Sequence, residues 1–173
     1  MNRAEYLRSV GLEADETCVV AGIAARLNPV KDIATLIRGF AKAHRAFPAL
    51  RLLIAGDGEE MVNLKQLAAD LGVAKAVCFA GWISDTDSFY NALDINTLTS
   101  ISETFPYALT EGARAGLPTI SSKVGGVSYL IDHGSNGFLF PPGEDQALAD
   151  HLLTLARDLS LIHISEPTRP RLI

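Results

Sequence analysis

Residues 17–58 read TCVVAGIAARLNPVKDIATLIRGFAKAHRAFPALRLLIAGDG. Residues 17–25 are a short apolar run rich in β-branched side chains, the composition of a strand buried on both faces. Residues 31–47 then set Ile33, Leu36, Ile37, Phe40 and His44 at helical spacing, one apolar face of an amphipathic helix. Residues 50–55, LRLLIA, return to an apolar strand that Gly56-Asp57-Gly58 stops. Strand, loop, helix and strand in this order predict parallel pairing with the helix as crossover.

The same rhythm continues outward. Residues 59–71 carry Met61, Leu64, Leu67 and Leu71 in helical phase, ended by Gly72. A strand at 77–79, a helix at 87–93 and a strand at 95–99 follow. The spacing next predicts a helix at 106–115 with Pro106 at its first position and Gly116 just past its end. Beyond it come a strand at 118–121, a Gly125-Gly126 turn, one or two helical turns at 127–131, and a strand at 137–140 stopped by Pro141-Pro142-Gly143. Residues 145–157 close as an amphipathic helix through Leu148, Leu152, Leu153 and Leu155. The fold class expected is α/β: a Rossmann-like, doubly wound parallel sheet with helices on both faces. Ligands of such sheets lie beyond the carboxyl ends of the strands. Function is therefore sought in the loops 26–31, 56–59, 81–85, 100–105 and 122–127.

Composition sets the bounds. The chain has 173 residues, one domain with a real core. Its net charge of −5 argues against nucleic-acid binding, which needs a basic stripe to displace counterions. Nor does it indicate membrane association. Cys18 and Cys78 each lie in an apolar run and read as buried, reduced thiols. The N-terminal ten residues are polar, with no signal segment and no run of membrane-spanning length. The expected location is cytoplasmic.

The end of the chain, LSLIHISEPTRPRLI at 159–173, has two prolines and breaks the leucine phase. It resembles a peptide met at the ends of unrelated proteins where sequencing-adapter DNA has been translated. The expected division is a domain at 1–158 and a non-native, disordered tail at 159–173, so His163 and the tail arginines are set aside.

The chemistry concentrates in residues 100–116, SISETFPYALTEGARAG. Pro106 separates Glu103 and Glu111, placing Glu103 in the loop and Glu111 in the second turn of the helix. Ser102 or Thr104 is a candidate cap. Between the carboxylates, the helix N-terminus offers backbone amides and the positive end of its dipole to an anion. An anion cradle flanked by two carboxylates suits a ligand carrying both phosphates and hydroxyls. A second group, Arg26 and Lys31 in RLNPVK directly after the first strand, can compensate charge on a leaving diphosphate. His44, His133 and His151 have no neighbours at metal-ligand spacing and read as helix-face or surface histidines, so no metal site is expected.

The 100–116 segment resembles the E-x7-E signature of retaining glycosyltransferase family 4, enzymes of the GT-B fold. Further blocks carry the likeness over residues 5–157: LLIAGDGEE at 52–60, VCFAGWISD at 77–85, ALDINTLTS at 92–100 and GSNGFLFPPGE at 134–144. The resemblance implies the C-terminal, donor-binding half of such an enzyme. It assigns donor-sugar hydroxyls to Glu103 and the nucleotide ribose to Glu111. The diphosphate falls to Arg26, Lys31 and the helix start formed by Phe105, Pro106, Tyr107, Ala108 and Leu109, and the base to Trp82 and Ile83. Two positions depart from the pattern. Ala25 stands where a glycine is usual, and Tyr129 where a glutamate is frequent; no role is given to Tyr129.

The implied ligand is a nucleoside-diphosphate sugar, with a UDP-sugar favoured over a GDP- or ADP-sugar, and no separate cofactor. The implied acceptor is a glycan or lipid-linked molecule, held by an N-terminal domain that the resemblance places before Met1. On that reading the isolated chain binds donor weakly and does not turn over. Two alternatives stay open: a nucleotide-sugar epimerase on the same fold, and a non-catalytic nucleotide-binding module completed by a partner chain.

Overall fold

A computed structural model describes residues 2–103, 107–131, 133–134 and 137–165. Among them six strands form one sheet: β1 (Val19–Ala24), β2 (Leu50–Ala55), β3 (Val77–Gly81), β4 (Ile95–Leu98), β5 (Thr119–Ser122) and β6 (Gly137–Phe140). Their order is β3-β2-β1-β4-β5-β6, and every neighbouring pair is parallel. The helices are α1 (Arg3–Val10), α2 (Ile33–Ala46), α3 (Met61–Asp70), α4 (Thr86–Ala92), α5 (Tyr107–Arg114) and α6 (Asp145–Ser165). This is the doubly wound α/β sheet expected from the alternation of apolar runs.

Strand periodicity decides which side chain meets which layer. Val19, Ala21 and Ile23 of β1, with Leu50, Leu52 and Ile54 of β2, enter one core with Leu36, Ile37 and Phe40 of α2, Leu64 of α3, and Leu148 and Leu152 of α6. The intervening Val20, Leu53 and Ala55 enter a second core with Tyr6 and Leu7 of α1 and Phe89 and Tyr90 of α4. A smaller cluster of Leu98, Leu109, Val127 and Ile131 lies under α5. Burial on both faces is why β1 and β2 read as unbroken apolar runs rather than alternating ones. Cys18 and Cys78 are buried and unlinked, as expected.

Three local readings are corrected. The helix expected to begin at 31 begins at Ile33. Pro29–Lys31 form a 3₁₀ turn, with the Asn28 side chain accepting from Lys31 N–H at 3.2 Å, and Asp32 adopts a left-handed φ of 44°. Lys31 therefore belongs to the loop at the carboxyl end of β1, not to α2. The N-terminal ten residues, read only as polar, contain α1. Its start is a reciprocal cap: Asn2 accepts from Glu5 N–H at 2.8 Å, and the Glu5 carboxylate accepts from Asn2 N–H at 3.3 Å. That signal was present in the sequence as N-x-x-E. With only Tyr6 and Leu7 buried, its apolar face is too short to show by periodicity.

The third correction concerns the chain's end. α6 runs past the expected boundary at 158 without a break, and Leu159 is 2% exposed in the main core. Leu148, Leu152, Leu155 and Leu159 recur at helical spacing, so the leucine phase continues two residues beyond Arg157. Residues 166–173 of the expected tail lie outside the described residues. Leu159→Ala should cost about 2 kcal/mol, the low end for burying an alanine in place of leucine, because a helix terminus can relax. Urea unfolding would show it as a lower midpoint at unchanged slope. An unchanged midpoint would mean that Leu159 adds nothing to the core in solution.

The three histidines are helix-face or surface residues, as expected: His44 and His151 lie half-buried on helices and His133 is exposed. His44 sits on α2, its ring stacked on Phe40 and its Nδ1 3.0 Å from the Leu50 carbonyl. His151 of α6 is stacked on Phe138 at 4.6 Å and meets His133 edge-on at 5.6 Å. Burial first, then the neighbouring His133, holds the His151 imidazole below its ordinary pKa.

Candidate functional site

β1 and β4 pair through only two residue pairs, Ala21 with Ile95 and Gly22 with Asn96. Beyond them the chain leaves β1 towards α2 on one face and β4 towards α5 on the other. This is the topological switch point, where a doubly wound sheet opens a crevice. Buried hydroxyls and backbone bonds tie its walls together. Ile101 N–H donates to the Val30 carbonyl at 2.9 Å and Thr99 Oγ1 to the Lys31 carbonyl at 2.8 Å, joining the loops after β1 and β4. Ser122 Oγ donates to the Ser100 carbonyl at 2.7 Å and joins the loop after β5. Gly125 completes the packing, for a Cβ there would stand 2.1 Å from the Glu103 carbonyl oxygen.

Within this frame Lys31 Nζ lies 3.0 Å from Glu103 Oε2, and Ser100 Oγ donates to the same oxygen at 3.0 Å. The side chains are 22% and 10% exposed, so solvent screens the pair less than it would a surface ion pair. Ser100 is fully buried and fixes the carboxylate's orientation. Among the described residues, Glu103 Oε1 has no hydrogen-bond donor.

Arg26 lies apart from this pair. It lines a cavity of about 330 Å³ with Ala24, Ala25, Gly56, Asp57, Trp82 and Ile83. The loops after β1, β2 and β3 meet here at very close range: Gly56 has a φ of 133°, and Ala25 N–H donates to the Ala55 carbonyl at 3.0 Å. A side chain at Gly56 would overlap the Ala25 carbonyl, which is why the GDG turn reads as glycine there. Trp82 is 77% exposed, so its indole is a wall rather than a core group. The cavity's lining is mostly apolar, with one cation and one carboxylate, a form that can take a flat heterocycle.

Glu111 faces a third place, a cavity of about 200 Å³ lined by Asp87, Tyr90, Asn91, Arg114 and Ala115. Its carboxylate is 3.6 Å from Arg114 Nη1 and otherwise open to a ligand's hydroxyls. Tyr90 beneath it is pushed up to about 12, by burial first and then by the Glu111 charge, so it stays a neutral phenol throughout the usual pH range. The first turn of α5 opens at Tyr107 with Ala108 and Leu109. Asn96 on β4 sets the helix position, donating from Nδ2 to the Ala108 carbonyl at 3.0 Å and packing under Gly112. The proposed diphosphate positions Phe105 and Pro106, and the candidate cap Thr104, lie outside the described residues.

The sequence-derived residues thus fall into three groups around the crevice: Lys31 with Glu103, Arg26 with Trp82 and Ile83, and Glu111 with the first turn of α5. Thr86 lines the second group's cavity and Asp87 the third's, so the start of α4 runs between them. The residues missed were the supporting ones, Asn96, Thr99, Ser100, Ser122 and Tyr90. For Asn96 and Ser122 the signal was polarity inside strands, since INTL and TISS place Asn, Thr and Ser where a buried strand would ordinarily be aliphatic; Thr99 and Ser100 directly follow β4, and Tyr90 lies on α4.

Comparison with known proteins follows this geometry. Residues 9–163 match the family described as glycosyl transferases group 1. The lipopolysaccharide core biosynthesis glycosyltransferase LpsE of Rhizobium meliloti is 34% identical over 131 residues, which cover 76% of this chain and 37% of LpsE. The crystal structure of Anabaena HepE in complex with UDP-glucose is 30% identical, with a TM-score of 0.80, covering 90% of this chain and 43% of that one. The C-terminal domain of LpcC, a glycosyl transferase group 1 family protein of Francisella tularensis, is 25% identical at a TM-score of 0.80. There the match covers 91% of this chain and 83% of that domain. The chain thus spans little more than a third of LpsE and most of a structure that is itself one domain.

Proposed function

The chain belongs to the glycosyl transferases group 1 family, and from that premise we propose that it binds the nucleoside-diphosphate sugar of a retaining, family 4 enzyme of the GT-B type. The observation that carries this reading is the Lys31–Glu103 pair at the switch point, together with two cavities that meet along the start of α4, an apolar one lined by Arg26, Trp82 and Ile83 and a second lined by Glu111. One ligand asks for all of it: a base, a ribose with vicinal hydroxyls, a diphosphate and a sugar. Trp82 and Ile83 wall the base, Glu111 accepts from the ribose, and Glu103 accepts from the sugar. Arg26, Lys31 and the backbone N–H groups of residues 105 and 107–109, Pro106 having none, hold the diphosphate.

In the transfer step, the bond from the anomeric carbon to the diphosphate oxygen breaks while a bond to an acceptor oxygen forms on the same face. The diphosphate leaves with the bonding electron pair, and its departing oxygen takes up the proton that the acceptor hydroxyl gives up. Cations and helix amides compensate that charge, and Glu103 holds the ring in register, so the domain works by electrostatics and positioning. A glycan or lipid-linked acceptor would be held by a further domain of a longer enzyme, consistent with the share of LpsE that the chain spans. UDP is the favoured nucleotide, in line with the UDP-glucose bound by the similar HepE. A cytoplasmic site of action fits such a donor.

Calorimetric titration with UDP, GDP and ADP tests the reading. UDP should bind, and Glu111→Ala should weaken it about tenfold, the value of one hydrogen bond to a charged group. A folded chain that binds none of the three, alone or joined to an N-terminal domain, would overturn the assignment.

A further inference from the structure

Glu103 and Lys31 are assigned to different parts of the donor, yet in the ligand-free site they hold each other. Lys31 Nζ and Ser100 Oγ both meet Oε2 at 3.0 Å, and the loop ties through Thr99, Ile101 and Ser122 keep the two residues in place. A diphosphate that takes up Lys31 must compete with this carboxylate for the ammonium, and it then lies beside a negative charge. An intact donor sugar offsets both costs, because its hydroxyls give the carboxylate, Oε1 included, new donors. A nucleoside diphosphate without the sugar brings no such compensation. Resting on the donor-site reading above, we propose that the Lys31–Glu103 pair is a discriminating element: it weakens the hold on the bare nucleoside diphosphate relative to the nucleoside-diphosphate sugar and so favours product release. Glu103 then has two opposite effects in one site, attraction for the sugar and repulsion of what remains once the sugar has gone.

The consequence is counterintuitive for a binding-site residue, since removing its charge should tighten one ligand. Glu103→Gln keeps the shape and an acceptor for Ser100 Oγ but frees Lys31. In calorimetric titrations of the full chain, the variant should bind UDP about tenfold more tightly than the unaltered protein. Its preference for UDP-glucose over UDP should be lost. Glu103→Ala, which makes no demand on the Ser100 contact, should show the same tightening, so the result does not hang on the folding of one variant. In a Lys31→Met background most of the gain should disappear, since the coupling requires both charges. If the unaltered chain binds UDP and both Glu103 variants bind it equally or more weakly, the discriminating role is overturned while the donor site stands. If folded protein binds neither UDP nor UDP-glucose in any form, the donor-site reading falls and this inference falls with it.

Discussion

Gly125→Ala is expected to weaken nucleotide-sugar binding by up to about a hundredfold while leaving the sheet folded. Gly125 has a φ of 50°, a left-handed conformation that an alanine adopts at a cost of about 1 kcal/mol. The larger obstacle is the neighbour, because the added Cβ would stand 2.1 Å from the carbonyl oxygen of Glu103. That oxygen is backbone, so either the glycine turn or the Glu103 loop must move by about an ångström, and Glu103 then loses its hydrogen bonds to the sugar, worth about 1.5–3 kcal/mol or about tenfold to a hundredfold in affinity. Glu103 cannot follow freely. Its carboxylate is fixed by Ser100 and Lys31, whose loops are in turn tied by Ser122 and Thr99. Gly126 is the control, for a Cβ there meets nothing within 4 Å. Titration of both alanine variants with UDP-glucose, beside their thermal melts, checks the argument. Equal binding by the two would show that the close approach to Glu103 does not position the site.

How legible was this arrangement beforehand? The strands were, because β1 and β2 are buried on both faces and their apolar runs admit few other readings. The switch point followed from the alternation of elements, and with it the loops where Arg26, Lys31, Glu103 and Glu111 sit. What the sequence left hidden was the partnership between them. Residues 31 and 103 are 72 positions apart, and only the pairing of β1 with β4 brings their loops together. Charge type said that each could meet a ligand; it did not say that they meet each other. The supporting hydroxyls escaped for a related reason. A buried serine is read from its partner: Ser122 on β5 bonds to Ser100 in another loop, and Ser100 bonds to Glu103 three residues on, a contact that spacing alone does not announce. The end of α6 was misread because two prolines farther on outweighed one leucine in phase, although Leu159 is buried as fully as its predecessors.

The largest loss of stability is expected at Asp94, away from every ligand contact. Asp94 is 1% exposed at the amino end of β4. Its Oδ2 accepts from Val20 N–H at 2.8 Å and from Arg3 Nη2 at 3.0 Å, while its own N–H donates to the Val20 carbonyl at 2.7 Å. Arg3 also donates to the carbonyls of Ala92 and Cys18, at 3.2 and 3.3 Å. One carboxylate therefore locks α1, β1 and β4 together beneath the switch point. Asp94→Ala leaves a buried N–H without its acceptor and a guanidinium without its counter-charge, which should cost about 3–5 kcal/mol. For a chain of this size that lowers Tm by about 10 °C. Asp94→Asn keeps an acceptor for Val20 and should lose less. Arg3→Met combined with Asp94→Leu should recover part of the loss, because a well-packed apolar pair avoids the desolvation that the ion pair requires. A Tm within 2 °C or so of the unaltered protein for Asp94→Ala would mean that α1 is not held through this contact. Gly125→Ala and Asp94→Ala should thus separate cleanly. The first loses most of its affinity with Tm lowered by only a few degrees. The second loses Tm yet, below its melting range, binds the nucleotide sugar as the unaltered protein does.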